Sequence, residues 1–134
     1  MKFKKIIFYA SITATILFVS VVAYALIRIR IMFQREKTCH SMTKIKILTD
    51  AIECYKLDFK NYPTEAEGLK VLIVKQKNKH YNGPYLNSKE LPLDSWGTPY
   101  RYRLVSDKPL IESAGSDTIF GTKDDLKITE ASNK

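Results

Sequence analysis

Glycine and proline are missing from the first 62 residues of this 134-residue chain; the five of each all lie between Pro63 and Gly121. These are the strongest helix breakers, so nothing stops one helix from running from about Lys5 to Asp58. Acidic residues are also missing before Glu36, and no charge of either sign falls within Ile6–Ile27. Histidine is scarce: His40 and His80 are the only two, and neither neighbours a serine or cysteine in a nucleophile motif. That excludes the usual acid–base and nucleophilic sets and points away from an enzyme. Cys39 and His40 are adjacent on the helix and project in different directions, which excludes them as a zinc pair. There is no basic stripe interleaved with aromatics, so nucleic acid is not an expected partner.

The 22 uncharged residues Ile6–Ile27 match the ~20 a helix needs to cross a bilayer. Ser11, Thr13, Thr15 and Ser20 interrupt the run mildly, because helical hydroxyls can bond back to their own backbone. A cleaved secretory signal shares the basic start at Lys2, Lys4 and Lys5, but its apolar region is shorter, roughly 7–15 residues. The reading taken is an uncleaved anchor over residues 1–32 and a head domain over 33–134. Basic residues flank both ends of the span, with Arg28, Arg30, Arg35 and Lys37 following it, so charge does not set topology. Three of the 22 basic residues precede the span, leaving 19 against 14 acidic ones in Arg28–Lys134. The densest cluster, Lys75, Lys77 and Lys79, reads as a solvated face or one drawn to anionic lipid heads or an acidic partner.

Cys39 and Cys54 stand 15 residues apart, ~22 Å along one helix and too far for a disulfide within the chain. Two ordinary buried thiols are expected, with a bridge between subunits as the other option.

After the span, Met42, Ile45, Leu48, Ile52 and Tyr55 recur at three- and four-residue steps. They form one apolar stripe that predicts packing of the helix on the protein's own head, with Lys44, Lys46, Asp50, Glu53 and Lys56 off it. Pro63 ends this helix by disfavouring α conformation at Tyr62. Thr64 and Glu67 then read as a capping box opening a second helix to about Gln76. Lys77–Ser88 reads as a loop turning at Gly83 and Pro84. Strands are expected over Thr98–Leu104, Leu110–Ser113 and Leu126–Thr129, with a turn at Asp107–Pro109 and a frayed end at Ala131–Lys134. The class is α+β: a long helix, transmembrane then amphipathic, packed on a small antiparallel sheet.

Two segments carry the rest of the information. Leu91–Tyr100 packs turn formers around the only tryptophan, Trp96, which beside such residues reads as a core plug. Ser113–Ile128 gathers Asp117, Asp124 and Asp125 into a loop with Gly115 and Gly121. Such a loop repels itself unless a cation or donor groups neutralise it. Calcium, which takes six to eight oxygens, fits that description, with carbonyls near Ile119 and Thr122 completing the shell. Equally, aspartates occur in turns because they bend and cap chains. The residues leave both readings open.

These segments resemble the protein G, or major pseudopilin, family of type II secretion systems. The resemblance runs through Tyr55–Asp58, Asn61–Thr64 (with Tyr62 and Pro63), Glu67–Leu69 and Tyr85. It continues through Leu91, Pro92, Asp94, Trp96, Gly97, Thr98, Pro99 and Tyr100, then Ser113–Gly115, Asp117, Gly121, Thr122, Asp124 and Asp125. It implies a pilin-like fold whose head is organised by Tyr62, Pro63, Leu91, Pro92, Asp94, Trp96, Gly97, Pro99 and Tyr100. It also implies a calcium site at Asp117, Asp124 and Asp125, with no turnover. By the same resemblance, partners are like subunits or other pseudopilins, inner-membrane secretion components and the bilayer. The location implied is a bacterial inner membrane crossed once, with the head in the periplasm. Thr118 stands where the family commonly has glycine, a departure in the loop's first turn. Members also carry a leader ending in glycine and a glutamate at the fifth mature position, and neither is found here. The departure leaves processing by the usual route unsupported; the expectation is a structural subunit of a type II secretion-type or type IV pilus-related apparatus that assembles through its N-terminal helix, with a permanently tethered, non-polymerising binding module as the alternative.

Overall fold

The computed structural model describes residues 2–75 and 77–128, with the backbone alone for Lys2, Lys4, Ile6 and Ile7. The expected second-helix end at Gln76, the strand end at Thr129 and the tail Ala131–Lys134 lie outside the described residues. The chain separates into two compact units, Met1–Glu36 and Lys37–Lys134.

The long helix predicted from missing breakers is present as α1, Lys2–Phe59. Within the first unit it is long and apolar enough to cross a membrane. Its hydroxyls turn inward on the backbone: Ser11 donates to Phe8 O at 2.8 Å, Thr13 to Ala10 O at 2.9 Å, and Ser20 to Leu17 O at 2.8 Å. With the Thr15 hydroxyl donating to Ser11 O at 2.8 Å, those bonds remove the polar cost of the four interruptions.

In the second unit the predicted stripe becomes the core. Ile45, Leu48, Ile52 and Tyr55 are buried, with Met42 partly so, against Leu69, Val71, Leu72, Tyr100, Tyr102 and Ile111. The helix stops where Lys60 adopts a left-handed φ of 66° ahead of Pro63. The capping box forms: Thr64 N donates to Glu67 Oε2 at 2.8 Å and Glu67 N to Thr64 Oγ1 at 3.3 Å. The helix it should open does not follow. Gly68 turns left-handed (φ 56°), and only a 3-10 turn, Gly68–Leu72, results, burying Leu69, Val71 and Leu72. Glycine here is a stop signal, and the β-branched Val71, Ile73 and Val74 behind it give the helix little propensity to resume. The loop beyond is drawn back to the core. Tyr85 and Leu86 both donate N–H to Leu72 O, at 3.1 and 3.0 Å, and the Tyr85 hydroxyl donates to Asp58 Oδ2 at 2.6 Å.

The sheet is antiparallel in the order β1 (Arg101–Val105), β2 (Lys108–Ser113), β3 (Leu126–Lys127). Thr98–Tyr100 is not strand: it closes a turn through the isolated Leu93–Pro99 pairing. The hairpin turns at Ser106 and Asp107, both left-handed (φ 51° and 60°), earlier than the expected turn at Asp107–Pro109. Positive φ at both central residues is the two-residue turn that matches strand twist. It moves Pro109 into β2 opposite Leu104, where β3 has not yet joined and no ladder N–H is needed.

Cys39 and Cys54 are free and exposed, a correction to the expected buried thiols. Each lies two residues from a buried position, Ser41 and Ile52, and so points about half a turn away from the core.

The core contact is testable. Ile52→Ala, at a position with no exposed surface, should lower stability by about 2–5 kcal/mol. Leu57→Ala, at 70% exposure, should stay within about 0.5 kcal/mol. Urea unfolding of the detergent-solubilised chain, followed by Trp96 fluorescence, measures both; equal losses would mean the stripe is misassigned.

Candidate functional site

The site begins with a buried carboxylate. Asp94 is 5% exposed, and its Oδ1 accepts N–H bonds from Trp96 at 3.0 Å and Thr98 at 2.7 Å. Asp94 N donates to Thr98 O at 2.9 Å, closing the turn on its own side chain. Its Oδ2 accepts the hydroxyl of fully buried Ser113 at 2.6 Å, and Ser113 Oγ accepts Gly115 N at 3.2 Å. The turn is therefore wired to the start of the C-terminal loop. It is also wired to α1: buried Ser41 Oγ accepts Ser95 N at 2.9 Å, and the Tyr100 hydroxyl donates to Ser41 O at 3.3 Å.

The loop then folds on its own aspartates. A 3-10 turn, Gly115–Asp117, ends at Thr118 with φ 61° and ψ 17°. The departure from glycine at Thr118 keeps the left-handed conformation with a β-branched residue in it, a strained choice. Gly115 (φ 69°) has a different reason to be glycine. A Cβ there would overlap the Asp124 carbonyl oxygen and lie 2.8 Å from Asp124 Oδ2, so the two ends of the loop meet at this point. Asp124 Oδ2 accepts the Ser116 hydroxyl at 2.8 Å and Asp117 N at 3.0 Å, while Oδ1 accepts the Thr122 hydroxyl at 2.6 Å. The Thr122 hydroxyl first, then the Ser116 hydroxyl and the Asp117 amide, hold the Asp124 carboxyl well below the usual carboxylate range. Asp117 Oδ1 accepts Ile119 N at 2.8 Å, and Asp125 Oδ2 accepts Gly121 N at 2.7 Å. The other oxygen, Asp125 Oδ1, is buried without a hydrogen-bond partner among the described residues.

The structure thus brings Asp117 and Asp124 together through a backbone N–H and sets Asp125 on Gly121. Among the described residues no group of three aspartate, glutamate, histidine or cysteine side chains is arranged to hold a metal ion. Donors of the loop itself meet most of its carboxylate oxygens, leaving Asp125 Oδ1 unmet.

A further tie becomes legible only with the strand register. Glu112, 2% exposed, accepts from two arginines on Oε2: Arg101 Nη2 at 2.9 Å and Arg103 Nη2 at 2.8 Å. Arg101 also carries the Phe120 ring of the loop, 4.1 Å from guanidinium carbon to centroid. The signal was there in the Arg101–Arg103 alternation, but reading it needs the register that pairs Arg101 with Glu112.

Among the head-motif residues, Pro63, Asp94 and Tyr100 are buried, and Tyr62, Leu91, Pro92 and Trp96 are half-buried. Trp96 is thus no core plug. Gly97 and Pro99 are exposed: Gly97 (φ 91°) donates N–H to Asp94 O at 3.3 Å, so it shapes the turn rather than filling the head.

The lowered Asp124 pKa fixes the sign of a pH effect. Its stabilisation is complete above the ordinary aspartate value, about 3.9, and disappears as pH falls below it toward the folded-state value. Asp124→Asn should be less stable than the parent at pH 7, with the gap narrowing between pH 4 and pH 2. Urea midpoints in chelator across that range measure it; a gap that widens in acid would refute the assignment.

Comparison with known proteins agrees with this architecture. The family model described as Type II secretion system (T2SS), protein G matches residues 30–131. Type II secretion system core protein G of Vibrio cholerae is 38% identical over 76 residues, covering 54% of this chain and 51% of its own. The protein of that name in Pseudomonas aeruginosa is 38% identical over 88 residues, covering 60% of each. The chain therefore spans between half and two thirds of the length of these relatives. The crystal structure of the major pseudopilin from the type 2 secretion system of enterohaemorrhagic Escherichia coli matches with a TM-score of 0.56 at 26% identity, over 69% of this chain and 86% of that one. With the core stripe, the Asp94 turn and the aspartate loop all inside the matched span, the chain belongs to the type II secretion system protein G family.

Proposed function

We propose that this protein is a structural subunit of a type II secretion apparatus or a related type IV pilus-like assembly. It is anchored once in a bacterial inner membrane, with its head in the periplasm. The observation that carries this reading is the bare helix. Every described side chain from Phe8 to Phe33 is exposed, including Leu17, Phe18, Val21 and Leu26. So much contiguous apolar surface is covered by something outside the chain. Lipid covers it in the resting subunit, and helices of neighbouring subunits cover it in the assembly. The relatives' names and the pseudopilin match support the same role. Such a protein turns nothing over; its work is assembly that pushes or gates cargo. Amine-reactive cross-linking in native membranes should give a ladder beyond the dimer. A single band with one foreign partner would replace this reading with the tethered binding module.

Calcium belongs to the same proposal. Asp117, Asp124 and Asp125 would hold the ion, with backbone carbonyls and water supplying the remaining oxygens. The buried, unpaired Asp125 Oδ1 supports the fit, because a buried acceptor without a donor is costly. When bound, the ion supplies charge neutralisation and cross-bracing of the loop. Asp125 would lend its free oxygen, Gly115 would keep the loop ends in contact, and the Asp94–Ser113 bond would hold the entry strand. Calcium should raise the thermal midpoint of the solubilised chain, magnesium should do so less, and Asp125→Asn should remove the dependence. A midpoint indifferent to chelator would end the calcium assignment.

A further inference from the structure

The sheet has an unfinished edge. Among the described residues β3 pairs only Leu126 with Ser113 and Lys127 with Glu112, so the stretch Pro109–Ile111 of β2 has no strand on that side. Beside it lies a groove of about 750 Å³ between α1 and the sheet. Ile45, Glu53 and Lys56 line it from the helix, and Pro109, Ile111 and Ile128 line it from the sheet. An open edge of this kind is a template for one more length of strand.

The two-residue turn at Ser106 and Asp107 decides which polar groups the edge offers. It makes Val105 and Lys108 a hydrogen-bonded pair, so Lys108, Leu110 and Glu112 turn their backbone groups toward β1. Pro109, Ile111 and Ser113 turn theirs the other way. Ile111 therefore presents both N–H and C=O on the β3 side, and Pro109 presents a C=O alone.

Register names the occupant. The pairs Ser113–Leu126 and Glu112–Lys127 extend without slip to Ile111 opposite 128, Leu110 opposite 129, Pro109 opposite 130 and Lys108 opposite 131. The sequence supplies Ile128, Thr129, Glu130 and Ala131 at those places. Leu126 and Ile128 pack on the core, so the period of two turns position 130 to the same face, toward α1. Glu130 is the only acid after Asp125. The cation on the helix wall of the groove is Lys56, whose ammonium lies 4.1 Å from the centre of the Tyr62 ring. Lys56 has no carboxylate partner among the described residues, and its neighbour Glu53 already accepts the Tyr62 hydroxyl at 2.8 Å.

We infer that this groove is the docking seat of the chain's own residues 129–131, which lengthen β3 along the β2 edge. Glu130 N–H donates to Pro109 O, and the Glu130 carboxylate faces Lys56. The ladder ends there, because Pro109 has no N–H to return. This contact lies within the head and is independent of the subunit reading. It has a consequence for assembly: an edge covered in this way cannot add a strand from a neighbour, so copies must meet through other surfaces.

Two measurements on the detergent-solubilised full chain test the seat. In amide hydrogen exchange, Glu130 should exchange about tenfold more slowly than Thr129 and Ala131, whose N–H groups point away from β2. Equal rates at the three positions would overturn the pairing. The second measurement starts from Cys39→Ser and Cys54→Ser, to which Lys108→Cys and Ala131→Cys are added. Positions 108 and 131 form a non-hydrogen-bonded pair with Cα atoms about 4.5 Å apart, within disulfide reach. Copper–phenanthroline passes two electrons from the two thiols to dioxygen, and two protons leave as the disulfide forms. The 108–131 disulfide should close within one chain, several-fold faster than one between Lys108→Cys and Asn133→Cys. Equal rates for the two pairs would overturn the register. Disulfides between chains in place of the internal one would give the groove to a neighbour's segment and overturn the seat.

Discussion

The head depends on one polar knot. Asp94, Ser113 and Ser41 are 5%, 0% and 0% exposed, and they draw the turn after Leu93, the end of β2 and the middle of α1 to one place. Apolar packing of Ile45, Leu48, Ile52 and Leu72 supplies most of the driving force, but it is nearly indifferent to small slides and rotations. Hydrogen bonds of 2.6–3.0 Å to fixed N–H and O–H groups are directional. They set the height of the turn on the helix and the point at which β2 gives way to the loop. A buried carboxylate short of donors is expensive, so any arrangement that misplaced Ser113 or Thr98 would be penalised twice: for the lost bond and for the exposed deficit. Stability in this head comes from the stripe, and uniqueness comes from Asp94.

From that fixed point the C-terminal loop is held by three further devices, none of them hydrophobic in the ordinary sense. Gly115 lets the Asp124 backbone approach where a Cβ would collide. Phe120 lies over the Arg101 guanidinium, whose charge is anchored by Glu112. The aspartates cap N–H groups of their own loop, at Asp117, Ile119 and Gly121. Thr118 shows how strongly these devices act. A β-branched residue sits at φ 61° because its neighbours over-determine the backbone there, although glycine would relax it.

What the sequence made legible follows from periodicity and local chemistry. The helix, its buried stripe, the capping box and a hairpin before the loop all rest on repeats of two or three-to-four residues, or on a pair such as Thr64 and Glu67. What stayed hidden needed either a backbone sign or a register. Gly68 could have sat within a helix; only its left-handed φ makes it a terminator. Pro109 is the louder turn former in the sequence, yet Ser106 and Asp107 carry the hairpin turn. Trp96 drew attention by its rarity, yet its backbone N–H matters more to the site than its half-buried ring. The glycines and aspartates of Ser113–Ile128 mark a loop, but composition cannot distinguish carboxylates that converge from carboxylates that each cap a different N–H.

That distinction changes what calcium would do under the proposed reading. In a small domain whose only neutralising partner is a metal, binding free energy and folding free energy are the same quantity, and the apo chain is unfolded. Here Ser116, Thr122 and the N–H groups of Asp117, Ile119 and Gly121 already meet the carboxylates, so the loop has a folded form built from its own donors. An ion must compete with those bonds, and its net contribution is the difference between two satisfied states. The group with most to gain is Asp125 Oδ1, which the internal arrangement leaves unmet. Calcium would therefore act as a brace that sharpens an existing loop, and its effect would concentrate on the segment from Gly121 to Asp125 rather than on the core stripe of α1.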